Sequence, residues 1–409
     1  MTKRTFHNTL YTHDNLYVLS GMNSESVDLI YLDPPFNSKR MYSAPVGSKA
    51  AGASFKDMWT WKDVDEYYLD TLAVQFPSLA GYIVKIGEIH SKPMMAYLTY
   101  MAQRIVEMHR ILKETGSLYL HCDPTASHYL KILLDEIFGK NNFRNEIVWC
   151  YSGGGVSKNY FARKHDVIFF YAKEKKSCNF IMQYRPYSAG TIQRGRTKNK
   201  GKYFAQGLRE EGTPVNDWWI DCPKITSPTD PEKLGYPTQK PLVLLHRIIK
   251  ASSNEGDIVL DPFCGCATTC VAAQQLGRKW IGIDIEKQAT KILVQRLSDD
   301  AGFFKDFIAT DKIPKRTDIK EVQPSESVKQ RLYKEQGGKC NACREEFKLW
   351  NLEIDHIIPK AKGGGDYYEN YQLLCGSCNR IKGDRPMEYL RLKIETRERM
   401  MKNKIFFGE

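Results

Sequence analysis

The run Val27-Asp28-Leu29-Ile30-Tyr31-Leu32 leads straight into Asp33-Pro34-Pro35. An apolar run this short reads as a buried strand. Two prolines in succession force the residue before them out of helical geometry, so the strand must end in a rigid turn. Beyond that turn, much of the chain alternates between helix and strand. Leu98, Met101, Ile105, Met108 and Leu112 space a helix over 97–113, ended by Gly116, and Ser117–Cys122 comes next as a strand. A helix over 126–138 stops at Gly139; strands are expected at 167–171, 258–260 and 280–283, and a helix at 268–276. This order predicts an α/β domain around a mostly parallel sheet. No internal repeat is present.

Two interruptions divide the chain. Residues 37–93, carrying Trp59 and Trp61, are too long for an ordinary connection and are expected to form a lid. Residues 312–330 are rich in proline, serine and charge and read as a linker. The expected units are therefore a domain over 1–311, that linker, and a small domain over 331–409. Within the first, the stretch 194–209 holds Arg194, Arg196, Lys198, Lys200, Lys202 and Arg209 with no acid. Its glycines and lack of apolar period suggest a loop, either a solvated surface or a contact for phosphates.

The Asp33-Pro34-Pro35-Phe36 turn offers a carboxylate and a carbonyl as paired acceptors beside a flat ring. An exocyclic amine on a nucleobase has its lone pair delocalised into the ring. Two acceptors on its hydrogens favour the pyramidal, nucleophilic form, and an aromatic face can hold an extruded base. Taken alone, the turn suits a structural cap equally well. Downstream, Ile258-Val259-Leu260-Asp261-Pro262-Phe263-Cys264-Gly265 is a strand followed by a small-residue turn, and Thr268 opens a helix. Such a turn lets backbone approach a ligand, and Asp284 ends the next strand where an acid can hold ribose hydroxyls.

In their order these motifs resemble the amino-methylating DNA methyltransferases of the permuted, β-class arrangement, over roughly residues 8–311. Asp33–Phe36 matches the catalytic motif; Gly116–Pro124 and His165–Tyr171 resemble later strands of that half. Tyr236–Pro241 resembles the motif ahead of the cofactor loop, Asp261–Gly265 that loop, and Asp284 the ribose-binding acid. The resemblance implies a Rossmann-like methyltransferase with S-adenosyl-L-methionine as cofactor and double-stranded DNA as partner, self-association into a homodimer being left open. By position, Asp33, Pro34, Pro35 and Phe36 would hold the base. Asp261, Phe263, Gly265 and Asp284 would contact the cofactor, with Thr238 and Lys240 as weaker candidates. Transfer from sulfonium to nitrogen needs no cysteine nucleophile, so Cys264, Cys266 and Cys270 are expected to be packing residues. In the family an aspartate at position 33 goes with adenine N6 and a serine with cytosine N4; Phe36, where tyrosine is commoner, leaves cytosine as the alternative. The insert 173–235, with Arg194, Arg196, Lys198, Lys200 and Lys202, sits where target recognition lies.

Cys340-x-x-Cys343 and Cys375-x-x-Cys378 are two knuckles 31 residues apart, a spacing suited to one tetrahedral zinc site. Around them lie Asp355-His356, Gly363-Gly364-Gly365-Asp366, Asn370 and Asn379. This resembles an HNH, or ββα-metal, nuclease. The resemblance implies His356 as general base, Asn370 as the residue orienting its loop, and Asp355 with Asn379 as oxygen ligands for Mg²⁺ or Mn²⁺. Asn379 stands where a histidine is frequent. The alternative is a zinc-stapled DNA-targeting module that does not cut.

Charge agrees with a polyanionic partner. Lys+Arg exceed Asp+Glu by 60 − 48 = 12. Residues 312–409 carry 21 − 15 = 6 of that excess. No stretch nears the roughly 18 apolar residues of a membrane span, and Met1–His7 does not read as a signal peptide. Eleven cysteines then suggest a reducing compartment, with a cytoplasmic, nucleoid-associated setting in a prokaryote or phage.

Overall fold

The computed structural model describes residues 8–394 except 39, 46, 61–63, 65, 154–155, 197–207, 228, 288–289, 293, 295, 297–306, 363, 386, 388 and 392. Trp61, Lys198, Lys200 and Lys202 lie outside the described residues.

Nine strands form one sheet. In chain order they are β1 (Thr9–Thr12), β2 (Val27–Leu32), β3 (Leu112–Cys122), β4 (Phe143–Cys150) and β5 (His165–Ala172). They continue with β6 (Trp218–Trp219), β7 (Ile258–Asp261), β8 (Lys279–Asp284) and β9 (Ile308–Thr310). The spatial order is β6-β4-β5-β3-β2-β7-β8-β1-β9. Every neighbouring pair is parallel except β5, which runs antiparallel to both β3 and β4. The result is the expected mostly parallel mixed sheet of a Rossmann-like fold.

Burial on both faces explains why β2 reads as a nearly unbroken apolar run. Ile30 and Leu32 enter one apolar layer and Leu29 and Tyr31 the other, as the two-residue period requires. The first layer is built on the helices Pro77–Ile89 and Lys92–Ile111, the second on Leu242–Ser252 and Thr268–Gln275. Helix Lys92–Ile111 starts earlier than its apolar period suggests because Ser91 caps it, accepting from the Met94 N–H, with Pro93 in its first turn. It gives way to β3 at Leu112, so Gly116 lies inside a strand rather than stopping the helix. The expected helix over 126–138 is α-helical at Ser127–Leu134 and widens into a π-turn at Asp135–Gly139.

Residues 37–93 have structure of their own: a hairpin of Arg40–Ser43 and Ser54–Asp57, then helices Glu66–Gln75 and Pro77–Ile89. Leu79, Ile83 and Ile86 are core, and among the described residues of this segment those that line the site are Tyr42, Asp57, Met58 and Trp59, in and just after the hairpin. The helix Ala189–Arg196 extends into the stretch expected as a basic loop, so Arg194 and Arg196 end a helix. Of the expected linker, the part before helix Glu326–Glu335 is a docked strap. Pro314 is buried, Thr317 N–H donates to Asn23 Oδ1 at 2.7 Å, and Asp318 accepts from Ser24 N–H at 2.9 Å.

The C-terminal unit has its own core and a ββα layout: β10 (Leu352–His356) pairs antiparallel with β11 (Tyr371–Cys375), followed by helix Gly376–Lys382. Val328 and Leu332 of helix Glu326–Glu335 belong to that core, so this unit takes in part of the expected linker. Among the described residues no helix is long and apolar enough to cross a membrane.

Candidate active site and metal centres

Strand order places the first site. β2 leads on to β3 on one side, whereas its other neighbour β7 leads on to β8 on the opposite side. Open α/β sheets bind ligands at such a reversal, beyond the carboxyl ends of the strands. Asp33, directly after β2, Asp261, which ends β7, and Asp284, which ends β8, all border one cavity of about 440 Å³ there.

On the β2 side, Lys240 Nζ donates to Asp33 Oδ2 at 2.5 Å, while Asp33 Oδ1 is buried with no partner among the described residues. Lys240 also lies 5.5 Å above the Phe36 ring. It therefore stands with the Asp33–Phe36 turn rather than with the Asp261–Gly265 loop. Phe36 lies flat against His121, ring centroids 6.3 Å apart at 22°. His121 is fully buried, with Nε2 hydrogen-bonded to Asp166 at 3.1 Å and Nδ1 to the Tyr31 hydroxyl at 2.9 Å. Burial pushes the Asp166 carboxyl up, but the hydrogen bond and charge of His121, then Lys240 and Tyr151, outweigh it and hold Asp166 down at about 2. Asp57, from the hairpin, accepts from Asn37 N–H at 2.6 Å and Ser38 N–H at 3.0 Å and so fixes the chain leaving Phe36. Sequence reasoning missed Asp57, His121 and Asp166. His121 and Asp166 lie in the matched stretches Gly116–Pro124 and His165–Tyr171 but were given no role there, because they meet the turn only through sheet pairing, and Asp57 meets it only through the hairpin.

On the β7 side, Asp261 Oδ1 accepts from Phe263 N–H at 3.0 Å and Oδ2 from the Thr269 hydroxyl at 2.5 Å. Asp284 accepts from Gly265 N–H at 2.9 Å and Glu286 N–H at 2.8 Å. Burial pushes Asp261 up to about 7 and Asp284 up to about 6, against the lowering effect of those bonds. Gly265 has φ +50°, and a Cβ there would sit 3.0 Å from the Tyr236 ring, so a side chain is strained on two counts. Asn15, another residue that sequence reasoning missed, donates to Pro262 O at 2.7 Å and accepts from Arg104 at 2.6 Å, bracing the loop from behind. Thr238 lines the cavity with a positive φ of 62°. Cys264 and Cys270 are buried in the second apolar layer and Cys266 in a smaller cluster. Trp59 Nε1 and His13 Nδ1, like Asp33 Oδ1, are buried beside the cavity without partners. Unsatisfied donors and acceptors around one hollow fit a polar ligand that would satisfy them.

In the C-terminal unit, the Sγ atoms of Cys340, Cys343, Cys375 and Cys378 all lie within 4.8 Å of one another. A tetrahedral Cys₄ zinc with bonds of about 2.3 Å needs sulfurs roughly 3.8 Å apart, so this donor set fits zinc. Beside it, Asp366 accepts from His356 Nε2–H at 2.8 Å, which leaves Nδ1 as the acceptor nitrogen. Sequence reasoning noted Asp366 but gave it no role. The glycines ahead of it were the signal, because a Cβ on Gly364 would collide with the Ile358 carbonyl oxygen. Buried Asn370 accepts from Ile358 N–H at 2.8 Å and donates to Gly365 O at 3.0 Å, tying together the loop between His356 and Asp366. The expected oxygen pair of Asp355 and Asn379 is not assembled. Asp355 takes the Gln372 amide at 2.7 Å and the buried Lys382 ammonium at 3.0 Å, and Asn379 donates to Glu353 at 2.6 Å. Asp355 and Asn379 are thus each held by a protein partner, Asp355 by an ammonium and Asn379 by a carboxylate. The side chains of Arg194 and Arg196 lie outside the described residues.

Comparisons with known proteins agree with this division. A DNA methylase family matches residues 27–295 and an HNH endonuclease family matches residues 340–385. The chain is 28% identical over 323 residues to the DNA adenine methyltransferase YhdJ of Escherichia coli (strain K12), covering 77% of this chain and 93% of that protein. It is 30% identical over 282 residues to the type II methyltransferase M.EcaI of Enterobacter cloacae, covering 55% of this chain and 62% of that protein. Among solved structures, the cytosine-N4-specific PvuII DNA methyltransferase aligns with 75% of this chain and 96% of its own at 14% identity and a TM-score of 0.45.

Proposed function

The chain belongs to the DNA methylase family, and from that premise we propose that it methylates N6 of an adenine turned out of double-stranded DNA, in the cytoplasm, with S-adenosyl-L-methionine as donor. The observation that carries this reading is the divided Asp33 carboxylate: Oδ2 is held by Lys240 and Oδ1 is buried and unpartnered at the cavity. A free acceptor, the Pro34 carbonyl beside it and the Phe36 face are what an amino group on a flat base requires. When bound, S-adenosyl-L-methionine supplies a methyl group activated by its sulfonium. Asp284 and the backbone of Gly265 would hold its ribose and Asp261 and Phe263 the loop around it, with Thr238 alongside. On the base side, Asp33 Oδ1 and Pro34 O accept from the amine, Phe36 stacks on the ring, and the His121–Asp166 pair keeps Phe36 flat. Aspartate at position 33 and the name of the E. coli relative, a DNA adenine methyltransferase, support adenine over cytosine. Nucleoside mass spectrometry of DNA from cells expressing the chain tests this: N6-methyladenine is expected, and N4-methylcytosine in its place overturns the adenine assignment.

For the HNH domain we infer DNA cleavage with His356 as general base. Its bond to Asp366 is the base-and-orienter pairing such a role needs, with Nδ1 left to take a proton from water. A second reading, a zinc-held targeting module that does not cut, is favoured by the Lys382 ammonium against Asp355. Nicking of supercoiled plasmid by the full chain with Mg²⁺ or Mn²⁺ separates the two.

A further inference from the structure

The loop between β4 and β5, residues 151–164, has no part in the chemistry above, yet it leaves the sheet at the catalytic edge. β3 and β4 both pair antiparallel with β5 and so run the same way, and β3 is parallel to β2. The carboxyl ends of β2, β3 and β4 therefore share one edge. At about 4.8 Å per strand, the order β2-β3-β5-β4 sets the loop roughly 10–15 Å along that edge from Asp33.

Its stem is fastened to the base site. Tyr151 N–H donates to Lys164 O at 3.0 Å, and the Tyr151 hydroxyl donates at 3.0 Å to Asp166, which holds His121 under Phe36. Its tip is the opposite of anchored. Phe161 is 100% exposed, Val156 96% and Tyr160 67%. An unpartnered phenyl ring in water contributes nothing to a fold. Lys158 and Arg163 beside it are exposed, and no acid occurs between Tyr151 and His165. Aromatic rings on a basic, acid-free loop are complementary to phosphates flanking stackable bases.

We propose that this loop is a duplex wedge: Lys158 and Arg163 meet backbone phosphates, and Phe161 enters the base stack in the gap vacated by the target base. Ejecting a base costs its stacking and pairing, and a ring that fills the hole offsets part of that cost. The placement is consistent, because the gap lies in the same duplex, beside the cavity that receives the base. This inference rests on the methyl-transfer reading of that cavity.

The test uses the full chain, labelled S-adenosyl-L-methionine and two duplexes carrying the sequence found modified in expressing cells. One is fully paired; the other places the target base opposite an abasic site, where it is already unpaired. Phe161→Ala should lower transfer roughly 10–100-fold on the paired duplex, the loss of about one base–aromatic stack, and less than about threefold on the abasic one. Phe161→Trp should stay near wild type on both. Unchanged transfer by Phe161→Ala on the paired duplex overturns the proposal. So does an equal loss on both duplexes, which would make the loop a general DNA contact. Loss of a sedimenting dimer in Phe161→Ala, with transfer intact, would assign the face to a second copy of the chain instead. Unmodified protein inert on both duplexes and on unmethylated genomic DNA sinks the methyl-transfer reading itself, a failure distinguished by appearing without any substitution.

Discussion

Lys240 and Asp33 stand 207 residues apart in sequence and meet at 2.5 Å across the cavity. The contact divides the carboxylate: one oxygen is committed to the ammonium and the other is buried and free. The ammonium fixes the orientation of the carboxylate, which with neither oxygen engaged would rotate, and leaves the acceptor positions of Oδ1 unused. The ion pair thus aims a single acceptor.

Asp33→Ala should therefore abolish most methyl transfer while leaving cofactor affinity nearly intact, since Asp284, the proposed ribose acid, ends a different strand on the other side of the strand-order reversal. Losing an acceptor used in the transition state costs on the order of 10²–10³-fold in turnover. Labelled-methyl transfer to DNA and calorimetric titration with S-adenosyl-L-methionine on one preparation check both halves. Near-normal turnover would remove Asp33 from the mechanism.

Lys240→Met tests aim rather than contact. It keeps the length and apolar stem of the side chain but releases Asp33 Oδ2. Misaligned catalytic groups commonly cost about 10²-fold, so kcat should fall roughly 10–100-fold with KM for DNA and affinity for S-adenosyl-L-methionine within about threefold. If affinity for the cofactor collapses and kcat holds, Lys240 is a cofactor contact, as its motif alone suggested.

The Lys240 outcome also marks what could be read from sequence. The strands ending at Asp33, Asp261 and Asp284 were legible because buried parallel strands are apolar runs and prolines or glycines punctuate them. Their convergence on one edge came from helix–strand alternation. Lys240 was legible as a motif member but not as the partner of Asp33, since that depends on how the segment before helix Leu242–Ser252 returns across the sheet. The roles of His121 and Asp166 were hidden for the same reason: each is one polar residue in a matched apolar strand, and only the β3–β5 pairing makes them a pair. The core role of Leu79, Ile83 and Ile86 in helix Pro77–Ile89 was hidden by the length of the segment around it, which reads as a loop when its apolar spacing is not weighed. Asp355 and Asn379 show the converse. The resemblance to HNH nucleases implied shared ligation, whereas Lys382, a surface residue by type, is buried against Asp355.

Cofactor binding should depend on pH through Asp284. Burial pushes its carboxyl up to about 6. Above that pH it is ionised and can accept from hydroxyls; below it the proton occupies an acceptor position. The dissociation constant for S-adenosyl-L-methionine should thus rise as pH falls through about 6, and Asp284→Asn should bind more weakly and flatten the dependence. The stability of the unliganded protein should run the other way. The folded state keeps protons on Asp284 and Asp261 that the unfolded chain releases near 3.8, so stability contributed by these groups is lost as pH rises from there towards 6–7. Calorimetric titration across pH 5–8 checks the first claim and urea melts of the unliganded protein the second; a flat binding profile would leave Asp284 a purely structural residue.

The two halves of the C-terminal unit should separate under mutation. Cys343→Ser removes one of four converging sulfurs, and structural zinc in small domains is worth about 10 kcal/mol of folding free energy. Zinc content should drop and the region from helix Glu326–Glu335 onward should become sensitive to protease. His356→Ala should keep both zinc and protease resistance, because His356 bonds Asp366 and not the sulfur cluster. It should abolish metal-dependent plasmid nicking, since the imidazole nitrogen opposite that bond is the proposed proton acceptor. Methyl transfer should persist in both variants to the extent that the strap before helix Glu326–Glu335 stays docked through Asn23 and Ser24. Nicking by His356→Ala at the wild-type rate would reassign the base. If unmodified protein nicks nothing with any divalent metal, while Cys343→Ser binds DNA more weakly, then the Lys382–Asp355 pair describes the resting function of this domain: a folded, zinc-held grip on the duplex beside the methyltransferase site.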